Sequence, residues 1–134
     1  MPRELLHCLV ITPERTVVDE QADFIAVPLY DGELGVLPGR APLVGRLGFG
    51  ELRLRRGEEV RQYFVDGGFV QIKRNTVTLL TARAIPASEL DAATLESELA
   101  QPVPATVSPQ ERRRLMQQRE RCRAMLRLAR KVGA

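Results

Sequence analysis

Catalytic chemistry has few places to start in this sequence. The single histidine, His7, sits beside Cys8, the one adjacency that could supply a base and a nucleophile. Residues 5–11 form an apolar run closed by Thr12-Pro13, which reads as a strand. Neighbours in a strand point to opposite faces, so His7 and Cys8 make a catalytic dyad only if another element supplies a partner. The paired glycines Gly67-Gly68 lack the Lys and Ser/Thr that complete a phosphate-cradling loop. Cys8 and Cys122 lie far apart and show neither metal-ligand spacing nor a disulfide framework. The expectation is a chain with no catalytic residues, no metal and no cofactor, in a reducing, cytosolic compartment.

Binding chemistry is better represented. Residues 33–42, from Glu33 to Pro38, Gly39, Arg40, Ala41 and Pro42, hold two glycines and two prolines among few polar residues. Such a stretch is either a long connection between strands or an exposed recognition loop on a rigid scaffold. Near the C-terminus, Arg112, Arg113 and Arg114 are followed by Arg119, Arg121, Arg123, Arg127, Arg130 and Lys131. On a helix they cover nearly every direction. Three readings stay open: a solvated face, an acidic protein partner, or a nucleic-acid-binding module. The last is weakened because the stretch has no aromatic residue for base stacking and no helix-turn-helix or RNA-recognition pattern beside it. Charge is divided along the chain. Residues 1–107 carry 11 Lys/Arg against 15 Asp/Glu, a net of −4, whereas residues 108–134 carry 9 against 2, a net of +7. That asymmetry points to an electrostatic partner for one part.

The elements that must hold these groups fall into two kinds. Up to about Arg83 the pattern is short and β-like: apolar runs at 5–11 and 24–27, period-two alternation at 51–55, then strands at 60–65, 69–73 and 77–81. Gly or Pro stands between them, with Asp66-Gly67-Gly68 reading as a break. Spacing of this kind predicts a sandwich or barrel rather than a parallel α/β sheet. With 44% hydrophobic and only 4% aromatic residues, the core must be aliphatic. After Pro86 the period changes. Ser88 as N-cap predicts a helix over about 89–100, ended by Pro102 and Pro104. Ser108-Pro109-Gln110-Glu111 predicts the start of a second helix running to about Lys131. The fold class is thus mainly β with α: a β-sandwich of about ten short strands over residues 1–86, then an antiparallel two-helix hairpin over 87–134. No stretch approaches 18 consecutive apolar residues and no secretory pattern opens the chain, so neither a membrane span nor secretion is expected.

Gly32-Glu33-Leu34-Gly35-Val36-Leu37-Pro38-Gly39-Arg40-Ala41-Pro42-Leu43 resembles the signature loop of the F-type ATP synthase epsilon subunit, which usually reads G-E-(L/F)-G-(I/V)-(Y/L)-P-G-H-A-P-L. Tyr63-Phe64-Val65-Asp66-Gly67-Gly68-Phe69-Val70 and Val77-Thr78-Leu79-Leu80-Thr81-Ala82-Arg83-Ala84-Ile85 follow in the family's order. The resemblance implies a non-catalytic central-stalk (rotor) subunit, peripheral on the cytoplasmic face of the bacterial inner membrane. Its sandwich would contact the gamma subunit and the ring of c subunits, coupling transmembrane ion flow to ATP synthesis. Glu33, Pro38, Gly39, Arg40, Ala41 and Pro42 match the loop that faces the c-ring. Arg112, Arg113, Arg114, Arg119, Arg121 and Arg123 have the charge to meet an acidic loop of the beta subunit when the tail extends and inhibits ATP hydrolysis. Two departures are visible. Arg40 replaces the usual His. In the I/L-D-x-x-R-A motif through which some members bind ATP, Leu90 and Asp91 match but Thr94 stands for Arg and Leu95 for Ala, so no ATP binding is expected there.

Overall fold

The computed structural model describes residues 4–133, and the chain divides after Pro86 into two compact units. The first three residues and the last, which fall within the two expected spans, lie outside the described residues.

The first unit holds eight strands: β1 (Leu6–Ile11), β2 (Thr16–Ala22), β3 (Phe24–Leu29), β4 (Gly32–Val36), β5 (Leu43–Arg56), β6 (Glu59–Lys73), β7 (Thr76–Leu80) and β8 (Ala84–Pro86). Hydrogen bonding runs in the order β2-β1-β7-β6-β5-β3-β4, with β8 on the first half of β6. Among the described residues, only β1 and β7 pair in parallel. The sheet folds over on itself, because Leu6, Cys8 and Val10 of β1 share one buried cluster with Ile25 and Val27 of β3 and Val36 of β4. The cluster is filled by β-branched and leucine side chains, which fit a pleated surface buried on one face. Alternation in β1 places Leu6, Cys8 and Val10 inward and His7, Leu9 and Ile11 half-out.

The strands are fewer and longer than the expected ten short ones. Asp66-Gly67-Gly68 does not end a strand. It lies within the 15-residue β6, where Gly67 (φ 71°) and Gly68 (φ 104°) take left-handed backbone. Glycine permits that geometry, so the strand bends and continues. On one side of the bend β6 pairs with β8, on the other with β7. Thr81 fills the gap between those partners. Its buried hydroxyl accepts from Asp66 N–H (3.1 Å) and donates to Arg83 C=O (3.3 Å). Likewise β5 runs for 14 residues through three glycines. Gly48 has the reason for its size in the fold, since a Cβ there would lie 3.0 Å from the Leu29 carbonyl oxygen.

In the second unit, a short 3-10 turn (Ala87–Glu89) precedes α1 (Ala92–Ala100), and α2 spans Pro109–Gly133. Ser88 is not the cap of α1; it lies in the 3-10 turn. Asp91 takes the capping role, its carboxylate accepting from Ala93 N–H at 3.1 Å. Ser108 does cap α2, accepting from Glu111 N–H at 3.1 Å, with Pro109 as the first helical residue. At about 1.5 Å per residue, α2 is ~37 Å long. Leu95 of α1 and Cys122, Met125, Leu126, Leu128 and Ala129 of α2 are buried.

Candidate functional site

The stretch 33–42 is half strand and half loop. Gly32–Val36 is β4, paired antiparallel with β3. Its alternation buries Val36 and turns Glu33 out, where Glu33 meets Arg53 of β5 at 3.5 Å. Gly35 must be small because a Cβ would sit 3.1 Å from the Phe24 ring. The loop proper is Leu37 to Pro42. Arg40 N–H donates to Leu37 C=O (3.2 Å), which closes a turn with Pro38 second and Gly39 (φ 88°) third. Those are the residue types a type II turn requires. Pro38 is half-buried, and Gly39, Arg40, Ala41 and Pro42 are exposed.

A residue that sequence reasoning passed over fixes this loop. Arg74 (φ 51°) and Asn75 (φ 60°) form the two-residue connection between β6 and β7, the geometry of a type I′ hairpin. The Asn75 side-chain oxygen accepts from Gly39 N–H at 2.8 Å, and its backbone oxygen accepts from His7 N–H at 2.8 Å. One asparagine thus ties loop, hairpin and β1 together and puts Arg40 and Arg74 at the same end of the sandwich. The pair Arg74-Asn75 between alternating strands does signal the turn. Nothing local signals that its amide reaches across to residue 39.

An outward-facing row of apolar side chains crosses the sheet beside this end. Val44 (71% exposed), Phe69 (58%) and Leu80 (52%) lie on β5, β6 and β7, with Phe69 directly opposite Leu80. Leu37 adds a further exposed side chain (58%) from the loop. Tyr30 is also exposed, with the Arg46 guanidinium over its ring at 4.9 Å.

The six tail arginines do not act as one surface. Arg114 chelates Glu111 one turn back, and its cation holds that carboxyl below the ordinary range. Arg123 pairs with Glu120 at 3.0 Å. Arg119 is half-buried and donates to the Leu99 carbonyl at the end of α1 (2.9 Å). Arg121 is half-buried and engaged. Arg112 and Arg113 project into solvent at the start of α2. Helical spacing places Arg112, Arg123, Arg127 and Arg130 on one exposed stripe. Two of these lie outside the expected six.

The Leu90-Asp91 motif is occupied with folding. Thr94 Oγ1 donates to Asp91 Oδ2 at 2.8 Å. That hydroxyl, with the Ala93 N–H, holds the Asp91 carboxyl below its ordinary value. Cys8 is shut in the core, and burial pushes its thiol up to about 12, so it stays protonated at neutral pH. His7 turns instead to Asp19 of β2. Among the described residues, no group of three or more His, Cys, Asp or Glu side chains is placed to hold a metal ion, and no helix is long and apolar enough to cross a membrane.

These features define a mainly-β, sandwich-like protein with a charged pair of C-terminal helices. Residues 5–87 match the model of the family described as ATP synthase, Delta/Epsilon chain, beta-sandwich domain, and the chain belongs to that family. The ATP synthase epsilon chain of Rhodopirellula baltica is 56% identical over 86 residues, covering 64% of this chain and 67% of the relative. That of Leptospira borgpetersenii is 34% identical over 121 residues, covering 90% and 94%. Among solved structures, a chain from the central stalk/c-ring of the Tetrahymena thermophila mitochondrial ATP synthase superposes with a TM-score of 0.69. The two are 15% identical over 96% of this chain and 99% of the other, a likeness of fold.

Proposed function

We propose that this chain is a rotor subunit of an F-type ATP synthase, linking a gamma subunit to the c-ring on the cytoplasmic face of a bacterial inner membrane. The observation that carries the reading is the braced loop. Leu37 to Pro42 is exposed yet held by a type II turn and by Asn75, as a docking loop on a rigid body should be. In this reading Pro38, Gly39, Arg40, Ala41 and Pro42 meet the c-ring, with Glu33 beside them on β4. Arg40 places a guanidinium in the loop where the family usually has a His. The exposed row Val44, Phe69 and Leu80 supports a protein partner on the sandwich, here assigned to gamma.

The hairpin is the regulatory part. Extended, α2 meets an acidic loop of the beta subunit and inhibits ATP hydrolysis. Arg112 and Arg113 are best placed for first contact; Arg114, Arg119, Arg121 and Arg123 must first leave their present partners. ATP does not control the tail through the Leu90-Asp91 motif, since Thr94 supplies no cation for phosphate and Asp91 is committed to capping. The nucleic-acid reading gains no support, because α2 exposes no aromatic side chain for stacking.

Reconstitution into the complex tests the proposal. Full-length chain should co-purify with gamma and the c-ring. A chain ending at Pro86 should still assemble but raise ATP hydrolysis. Failure to co-purify overturns the rotor reading; unchanged hydrolysis removes only the brake.

A further inference from the structure

The two helices of the hairpin carry opposite charge. α1 holds Glu96 and Glu98 and no basic residue, a net of −2, with Glu89 and Asp91 just ahead of it, whereas α2 carries +7. The ties between the helices use that difference. Arg130 pairs with Glu96 at 2.7 Å. Arg119 donates to the Leu99 carbonyl at 2.9 Å, at the end of α1 where the backbone carbonyls lack helical partners and the macrodipole is negative. Between these points the Cys122 thiol lies 3.6 Å from the Leu95 carbonyl and 3.7 Å from the Glu98 carboxylate. Apolar burial adds to these ties: Leu95 is the buried side chain of α1, and α2 buries Cys122, Met125, Leu126, Leu128 and Ala129.

We propose that α1 is an internal acidic counterpart for α2, and that Arg119 and Arg130 are the catch that keeps the hairpin closed. The catch releases when ionic strength, or an acidic protein surface, competes for the two cations; nucleotide is not its trigger. The effect of release on ATP hydrolysis rests on the rotor reading above, but the catch itself does not.

The chain carries its own probe. Of its two cysteines, Cys122 is buried against α1 and Cys8 in the sandwich core. Opening the hairpin frees only Cys122. Labelling of the full chain with a maleimide should therefore accelerate at Cys122 as NaCl rises from low salt to 1 M, where the screening length shrinks to about 3 Å. Cys8 should stay protected throughout. Glu96→Gln should raise the low-salt rate two- to fivefold and Arg119→Met three- to tenfold, with a weaker salt response in each. Burial raises the Cys122 thiol and Arg119 opposes that rise, so faster labelling in Arg119→Met cannot arise from a more acidic thiol. Arg127→Gln removes a charge from the exposed stripe and should leave the rate unchanged. Labelling that slows with salt, or is indifferent to Glu96→Gln and Arg119→Met, overturns the catch and assigns closure to apolar packing. In the reconstituted complex, Glu96→Gln should also lower ATP hydrolysis. Faster labelling without that change keeps the catch and refutes the brake.

Discussion

Gly68→Ala is the sharpest perturbation of the sandwich. A Cβ at Gly68 would lie 1.8 Å from the Leu80 carbonyl oxygen, 2.9 Å from its carbon and 3.0 Å from Thr81 Cα, all backbone atoms held in the sheet. Residue 68 also has φ 104°, which costs an L-residue about 1–3 kcal/mol. Displacing a packed backbone adds about 1–3 kcal/mol. The sum, about 2–6 kcal/mol, is a large share of the 5–15 kcal/mol that typically stabilises a domain. Gly67→Ala is the control, because it also has positive φ (71°) but nothing within 4 Å of its Cβ. It should cost about 1–2 kcal/mol. The assay is thermal unfolding followed by tyrosine fluorescence. The chain has no Trp and two tyrosines, Tyr30 and Tyr63, so the signal belongs to the sandwich. Gly68→Ala should lower Tm by at least about 8 °C, at about 4–8 °C per kcal/mol. If Gly68→Ala costs no more than Gly67→Ala, the approach of the Leu80 carbonyl is not what requires glycine there.

Asn75→Ala removes the acceptor for Gly39 N–H and places Ala at φ 60°; it should cost about 1–2 kcal/mol. Hydrogen exchange should show the Gly39 amide losing protection while the core strands keep theirs. The Cys8 thiol is raised from 9.0 to about 12, so its contribution is whole below pH 9.0 and lost across pH 9.0–12, at up to about 1.4 kcal/mol per pH unit. In Cys8→Ala the stability of the sandwich should fall less steeply over that range; an unchanged slope refutes the assignment. Asp91 is lowered below 3.8, so its cap is in force above pH 3.8 and lost as pH falls through the lower folded value. Thr94→Val should move the Asp91 carboxyl back toward 3.8 in a carbon-detected NMR titration.

Much of the architecture was legible because it is local. Alternation in residues 51–55 marked a half-buried strand, and Ser108-Pro109 marked the start of α2. The errors came where glycine has two meanings. Gly67-Gly68 reads as an interruption, yet paired backbone on both sides carries β6 through it. The first helix is legible, but its cap is not, for a similar reason. Ser88 and Asp91 are both capping types, and only the 3-10 turn that absorbs Ser88 decides between them. The loop was legible as Pro38-Gly39, but its anchor was not, since Asn75 lies 36 residues away. Arg119 was visible as a charge, but its partner is a backbone carbonyl, which every residue has.

The pairing of β5 with β6 runs from Leu43, just after the loop, to Arg56 at the far hairpin. Hydrogen bonds in such a ladder lie across the strands. A pull along the ribbon therefore loads them in shear, many at once, whereas a pull across it opens them one by one. The sandwich is stiff along the axis leading from Leu37–Pro42 to the opposite end and comparatively weak at right angles to it. Its tensile grain follows a single pair of strands, and Gly67-Gly68 is the one knot in that grain.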